Sequence, residues 1–247
     1  MTSDPSPLDK APIREAILDV WVEGVAASFD QLRAFGGRLG ERFGPPEPRK
    51  AFQGAFHFNE GSAESSTTVV DLGFLFRSDD GLDVIQARVD GFTVNRLRPY
   101  ASWTELRAHA KTHWPIFVDA ARPESVKKVG LRYINQFELP VRHPLDGDQL
   151  AEYFLWRTTW PTSFGTPVGF FGRTMFQPDE HTRSTLTLLS NDPVEGRVPF
   201  LLDIEVQRAG SWEIDDAGIW SVLDNLRDLK NSLFFGSITP RLKERFE

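Results

Sequence analysis

From Leu82 to Gly91 the chain reads LDVIQARVDG, and from Ile85 its apolar residues fall on every second position. Ile85, Ala87 and Val89 alternate with Gln86, Arg88 and Asp90. A period of two puts successive side chains on opposite faces of a strand. The same alternation recurs at Leu202, Ile204 and Val206 against Asp203, Glu205 and Gln207. It recurs again at Leu131, Tyr133 and Phe137 against Arg132, Gln136 and Glu138, with Ile134 and Asn135 breaking the pattern. Such strands need a cover on one side only. That requirement selects an antiparallel sheet with one face packed and the other wet.

The other elements are read around these strands. IREAILDVWVEG (13–24) is β-branched and alternating, hence a strand. Ser28 is placed to cap a helix carrying Phe29, Leu32 and Phe35, which Gly44, Pro45 and Pro46 terminate. Residues 51–58 alternate, and a Ser/Glu-rich loop is expected over 59–66. Strands VVDLGFLFRS and LDVIQARVDG flank a DDG turn in which Gly81 tolerates positive φ. FTVNRL is a further strand or a continuation. Ser102 and Glu105 make a capping box for a helix through residue 121, with Pro115 predicting a kink or break. Then follow a strand at VKKVGLRYINQFELP, a short helix at DGDQLAEYFLW, and strands at VGFFGRTMF, HTRSTLTLLS and VPFLLDIEVQRAG. A long helix begins near Ala217, with Trp220, Leu223, Leu226, Leu229 and Leu233 as its apolar stripe. Thr239-Pro240 opens a terminal helical turn.

This order runs twice, and three local echoes support a tandem duplication. FDQLRAF matches GDQLAEYF, LDVIQARVDG matches LDIEVQRAG, and SWTELR matches IWSVLDNLR, at separations of about 117 to 120 positions. The expected fold is α+β: two pseudo-repeats, 1–122 and 123–247, each strand, helix, three or four antiparallel strands and helix. Together they would form one globular unit, a curved sheet with helices on one face, like TATA-binding-protein-like or helix-grip architectures.

Composition narrows the function. The chain has a net charge of −7, which disfavours a nucleic-acid backbone or an anionic membrane as partner. It has no cysteine, which removes disulfides, thiolate nucleophiles and Cys-ligated zinc. The N-terminus lacks the basic and apolar regions of a secretory signal, and no apolar run suits a spanning helix. A soluble, cytoplasmic protein is expected.

Motifs of catalysis are missing. Gly36-Gly37 is not followed by the Lys-Ser or Lys-Thr of a phosphate loop, and no nucleophile elbow or dinucleotide fingerprint occurs. His109 and His113 have the i, i+4 spacing of a metal pair, but no third ligand is identifiable and ordinary surface or packing roles are preferred. The expectation leans to a non-catalytic protein with no cofactor and no metal, while scattered acid/base residues leave catalysis open.

The polar sheet face is the site candidate: Gln86, Arg88, Arg132, Gln136, Glu138, Asp203 and Glu205. Its mixed sign suits either a salt-bridged solvated surface or a platform for a ligand or partner. Arg96 and Arg98, ahead of Pro99-Tyr100, suit an intramolecular ion pair better than an anion site. The aromatic stretch YFLWRTTWPTSFG (153–165) reads as an exposed partner-binding edge.

Six stretches carry a resemblance: APIREAILDV, LGFLFRSDDG, QARVDGFTVNRLRPYASW, GLRYINQFELP, LLDIEV and LKNSLFFGSIT. In this order, over nearly the whole chain, they resemble a sporadically distributed family of hypothetical bacterial proteins. The motif residues include Arg88, Phe92, Arg96, Leu97, Pro99, Tyr100, Trp103, Arg132, Tyr133, Asn135, Asp203 and Asn231. The patchy distribution implies horizontally moved genes, as in bacterial defence, antitoxin or immunity systems. The mixed-charge platform, the aromatic stretch and the absence of catalytic motifs point to a protein-binding module, with a partner encoded nearby. The alternative is a small-molecule or nucleotide sensor, with Arg88 and Arg132 holding a small anionic ligand. Tyr100 and Asn135 complete the candidate binding set.

Overall fold

A computed structural model describes residues 8, 10–59, 62–141, 147–157, 163, 165, 167–194 and 197–247, with the side chains of 52–68 outside the description. Nine strands form one open antiparallel sheet: β1 (Ile13–Glu23), β2 (Glu47–Asn59), β3 (Ser62–Arg77), β4 (Asp83–Arg88), β5 (Gly91–Leu97), β6 (Ser125–Leu139), β7 (Phe171–Phe176), β8 (Thr182–Ser190) and β9 (Val198–Trp212). Their spatial order is β2-β3-β4-β5-β1-β6-β9-β8-β7. The α+β class and the antiparallel sheet expected from the alternation are present.

The centre of the sheet is the antiparallel pair β1–β6, with Leu18 opposite Leu131 and Ala16 opposite Tyr133. On one side lie β5, β4, β3 and β2; on the other lie β9, β8 and β7. Helices α1 (Phe29–Ala34) and α2 (Trp103–Ala121) follow β1 and β5 in the chain. The five-residue α3 (Gly147–Ala151) follows β6, and α4 (Gly218–Phe235) follows β9.

The helices cover the face that carries the alternating apolar residues. Phe92 of β5 meets Phe117 of α2 with ring centroids 5.4 Å apart. Phe137 of β6 stacks on Phe234 of α4 at 6.5 Å. Phe35, in a 3-10 turn after α1, meets Phe76 of β3 edge-on at 5.5 Å. These aromatics, with Leu18, Val94, Leu131, Ile204 and Leu223, belong to one continuous core. Aromatic pairs of this geometry add about 0.5–1.5 kcal/mol each beyond the area they bury. The short α5 (Pro240–Lys243) is capped by Thr239, whose hydroxyl accepts from the Leu242 N–H, as the Thr-Pro pair implies.

Several local expectations differ. Ser28 makes its full capping box with Gln31. The Ser102 hydroxyl accepts from the Glu105 N–H, so α2 begins as expected. Yet α2 runs unbroken through Pro115 to Ala121. Pro115 lies on the exposed side, flanked by buried Trp114 and Phe117, whose packing holds the helix across the missing hydrogen bond. The Ser/Glu-rich loop over 59–66 is largely strand, because β3 already starts at Ser62, paired with Asn59. Short polar residues form ladders when a partner strand is present. The stretch 153–165 is not simply an exposed edge. Tyr153 and Phe154 are buried, and Phe154 bridges to Ile238; Trp160 and its neighbours lie outside the described residues.

The buried stripe of α4 is Ile219, Leu223, Leu226, Lys230 and Phe234. It is rotated from the predicted stripe, in which Trp220, Leu229 and Leu233 had inward places. The spacing i, i+4, i+7, i+11 fits a 3.6-residue period with a lysine at one core-facing position.

Candidate functional site

Strand register places the sequence-derived candidates on two different faces. On the face away from the helices, Gln86 pairs across Thr93 to Asp19, and Val84 pairs across Asn95 and Ile17 to Arg132 and Glu205. Gln86 and Arg88 were expected on a solvated surface, but they are only 7% and 6% exposed. Arg88 is held by Asp19 at 3.0 Å and Asp90 at 2.9 Å. One of its terminal nitrogens, Nη2, is buried without an acceptor. It lies against Gly91, where a Cβ would come within 2.6 Å of it. Gln86 donates to Asn95, which donates to Glu15 at 2.6 Å. Burial here follows from the neighbours: polar side chains on β1, β4 and β5 bond one another instead of water, leaving Gln86 Oε1 and Arg88 Nη2 without partners.

The other half of that face is wetter. Arg132 is exposed and forks onto Asp203, with contacts of 2.9, 3.1 and 2.6 Å. That bond, with Asp203 and Glu205 nearby, pushes its pKa above the ordinary value. A groove there is lined by Arg132, Arg173, Thr185, Thr187, Asp203 and Glu205. Gln136 is half-buried, and exposed Glu138 has Arg197 3.8 Å away. The face thus carries matched charges, and its arginines are largely committed to carboxylates.

Arg96 lies on the helix face, because Asp83, Arg96, Ala16 and Tyr133 form one row across the sheet. It contacts both oxygens of the buried Asp83 carboxylate at 3.1 Å, and Arg42 bonds the same carboxylate. His109 of α2 stands 3.9 Å from Asp83. Burial, then neighbouring His113, pushes the His109 pKa down to about 4, so at neutral pH this contact is not an ion pair. The His113 ring instead bonds the His109 carbonyl at 2.8 Å, which suits packing histidines. Among the described residues, no cluster of three metal-ligating side chains occurs. Arg98 is exposed, and its backbone N–H donates to Arg14.

The same row leads to a cavity on the helix side. It has about 320 Å³ of space between the start of β1, β6, the N-terminus of α2 and the last turns of α4. Tyr100, Tyr133, Asn135, Arg227, Lys230 and Asn231 supply its polar wall, and Ile13, Phe234 and Phe235 its apolar wall. No Asp or Glu lines it among the described residues. Trp103 Nε1 donates to Asp224 at 2.8 Å, and Arg107 pairs with the same carboxylate at 3.0 Å. These contacts tie α2 to α4 beside the cavity mouth.

The chain matches no protein-family model and no curated protein.

Inside the cavity the Tyr100 and Tyr133 hydroxyls lie 3.0 Å apart. Burial raises the Tyr100 pKa to about 12 and pushes Tyr133 well above its usual value, so both hydroxyls stay protonated. Lys230 Nζ sits 4.0 Å from the centre of the Tyr133 ring and donates to Asn231 Oδ1 at 2.6 Å. No carboxylate lies within 4 Å of it among the described residues. Burial, and secondarily Arg227, bring its pKa down to about 7. Asn135 donates to the Leu202 carbonyl at 3.0 Å, which fixes its amide at the cavity wall.

Tyr100 and Asn135, candidates from sequence, therefore line this cavity with Arg227, Lys230 and Asn231. Asn135 does not break the alternation, for it faces the helices in phase with Tyr133 and Phe137. Sequence reasoning missed Lys230 and Arg227. The available signal was a lysine in phase with Ile219, Leu223, Leu226 and Phe234, paired with an asparagine at a core position of β6.

Proposed function

We propose that this protein binds a small carboxylate-bearing molecule in the cavity between β6 and the helices α2 and α4. One observation carries the reading: a cavity of about 320 Å³ presents Arg227, Lys230, Asn231 and tyrosine hydroxyls, with no carboxylate among its described lining residues. Ligand pockets combine a mainly apolar wall with a few convergent polar groups, and this volume sits at the small end of their range. The α2 N-terminus at the cavity adds backbone N–H groups and a positive dipole end. This keeps the small-molecule reading but moves the ligand from the outer sheet face of Arg88 and Arg132 to the helix side. Thermal-shift titration with mono- and dicarboxylates, 2-oxo acids and inorganic phosphate tests it. A shift with a carboxylate that is lost in Asn231→Leu is expected; no shift with any of them refutes it.

A protein-binding role has separate support at the sheet edge. Among the described residues, strand β7 pairs with β8 alone, and it exposes Phe171 at 69% and Met175 at 76%. Open strand edges with apolar side chains accept an added strand. The favoured occupant is an extended segment of a protein encoded beside this gene, in a defence or antitoxin-like system of the kind the family resemblance implies. Co-expression with the neighbouring gene products should give a complex that Met175→Glu disrupts; a complex unaffected by that substitution would remove β7 from the interface.

The tandem duplication, and with it the TATA-binding-protein-like or helix-grip reading, is proposed on chain order. β1 and β6 meet at the sheet centre, and each leads through a short helix and further antiparallel strands to a long helix. Among the described residues no helix is long and apolar enough to cross a membrane.

A further inference from the structure

Lys230 is an unusual lysine in position. It occupies a core-facing place on α4, and its amine lies at a cavity rather than in bulk water. Its hydrogen-bond partner is the neutral Asn231 oxygen, and it stands over the Tyr133 ring. A paired hydroxyl couple, Tyr100 and Tyr133, shares the same cavity. The Arg227 guanidinium lines it too.

Resting on the ligand-binding reading, we propose that Lys230 is a nucleophilic amine that condenses with the carbonyl carbon of a small 2-oxo carboxylate. The free amine carries a lone pair, which an ordinary surface lysine almost never offers at neutral pH. The nitrogen attacks the carbonyl carbon, forming a C–N bond while the C=O π pair moves to oxygen. That oxygen takes a proton to give a carbinolamine, and the nitrogen gives one up. Loss of the hydroxyl as water, with the second nitrogen proton, leaves the C=N bond of an imine. Ketone plus amine becomes imine plus water, with no change in oxidation state. Tyr100 and Tyr133, both protonated, can hand a proton to the leaving oxygen and recover it from nitrogen. Arg227, whose Nε lies 3.0 Å from the Asp228 carboxylate, is the guanidinium at the cavity, a group whose shape matches a carboxylate. The depressed basicity of Lys230 supports the scheme.

The test uses the full chain with pyruvate and sodium cyanoborohydride, which reduces the imine to a stable secondary amine. Peptide mapping should locate a gain equal to pyruvic acid less one oxygen at Lys230. Labelling there should be at least about tenfold faster than at exposed Lys50 or Lys127, which serve as internal controls. Its rate should fall as pH drops below about 7. Lys230→Arg should lose the adduct while keeping the fold, checked by circular dichroism, and Tyr100→Phe should slow labelling at Lys230. If carboxylates shift the melting temperature but label is absent from Lys230 or spread by exposure, the amine chemistry is overturned and the binding reading stands. If no carboxylate shifts it, both are overturned.

Discussion

Replacing Lys230 by methionine should change how stability depends on pH, and the size follows from its burial. Lys230 titrates near 7 in the folded protein, against an ordinary 10.5. The folded value is the lower one, so across that window the unfolded chain binds the extra proton. The destabilisation is therefore full below about pH 7 and shrinks as pH rises toward 10.5. One pKa unit corresponds to about 1.4 kcal/mol. Partial protonation near pH 7 limits the gain from pH 7 to 9 to about 2 kcal/mol. The Tyr133 ring at 4.0 Å favours the charged form, and a cation over a buried ring recovers ~1–2 kcal/mol. With that correction the expected gain is about 1–2 kcal/mol. Methionine has a similar length and no charge to titrate. Urea unfolding of both proteins at pH 7, 8 and 9 isolates the effect, because all other titrating groups cancel in the difference. The advantage of Lys230→Met should be largest at pH 7 and shrink by about 1–2 kcal/mol by pH 9. A pH-independent difference would show that Lys230 is solvated as an ordinary lysine, and the cavity assignment of its amine would fail.

Gly73→Ala should destabilise by more than about 2 kcal/mol, read by thermal or urea unfolding. Its φ of 136° is open to glycine, and a Cβ there would lie 2.1 Å from the Ala87 carbonyl oxygen. Asp83→Ala should cost about 2–4 kcal/mol, since it leaves partly buried Arg96 without its carboxylate. The half-exposed Arg42 can turn to water, which sets the lower end of that range. A loss below about 0.5 kcal/mol would show that the buried cluster adds nothing net.

Period-two alternation made the sheet legible, because a one-residue slip would expose every core side chain of β1, β5 or β9. Helix starts were legible too: Ser28, Ser102 and Thr239 all cap as their chemistry requires. Three features resisted. Alternation says which residues share a face but not whether that face is wet, and Arg88 is buried by Asp19 and Thr93 from other strands and by Asp90 of the turn that follows it. Pro115 looks like a break until Trp114 and Phe117 are seen anchoring both sides of it. The cavity needed a fact no local pattern holds: β6 and α4, remote in sequence, bring Tyr133 and Asn135 beside Lys230 and Asn231. Of the polar candidates, Tyr100 and Asn135 fell at that cavity, while the charged pairs on the outer face satisfied each other.

The seam between β1 and β6 also sets a condition on synthesis. When the ribosome has released the chain through Ala121, β1 can pair with β5 and be covered by α2, but β6 is still to be made. Its other edge, destined for Ser125 through Asn135, then stands open at what will become the middle of the sheet. An unpaired edge with an apolar face is adhesive toward other nascent chains. A strand central in the finished sheet thus has an open edge while the chain is being made, and translation speed across residues 122–139 sets how long that edge waits for β6.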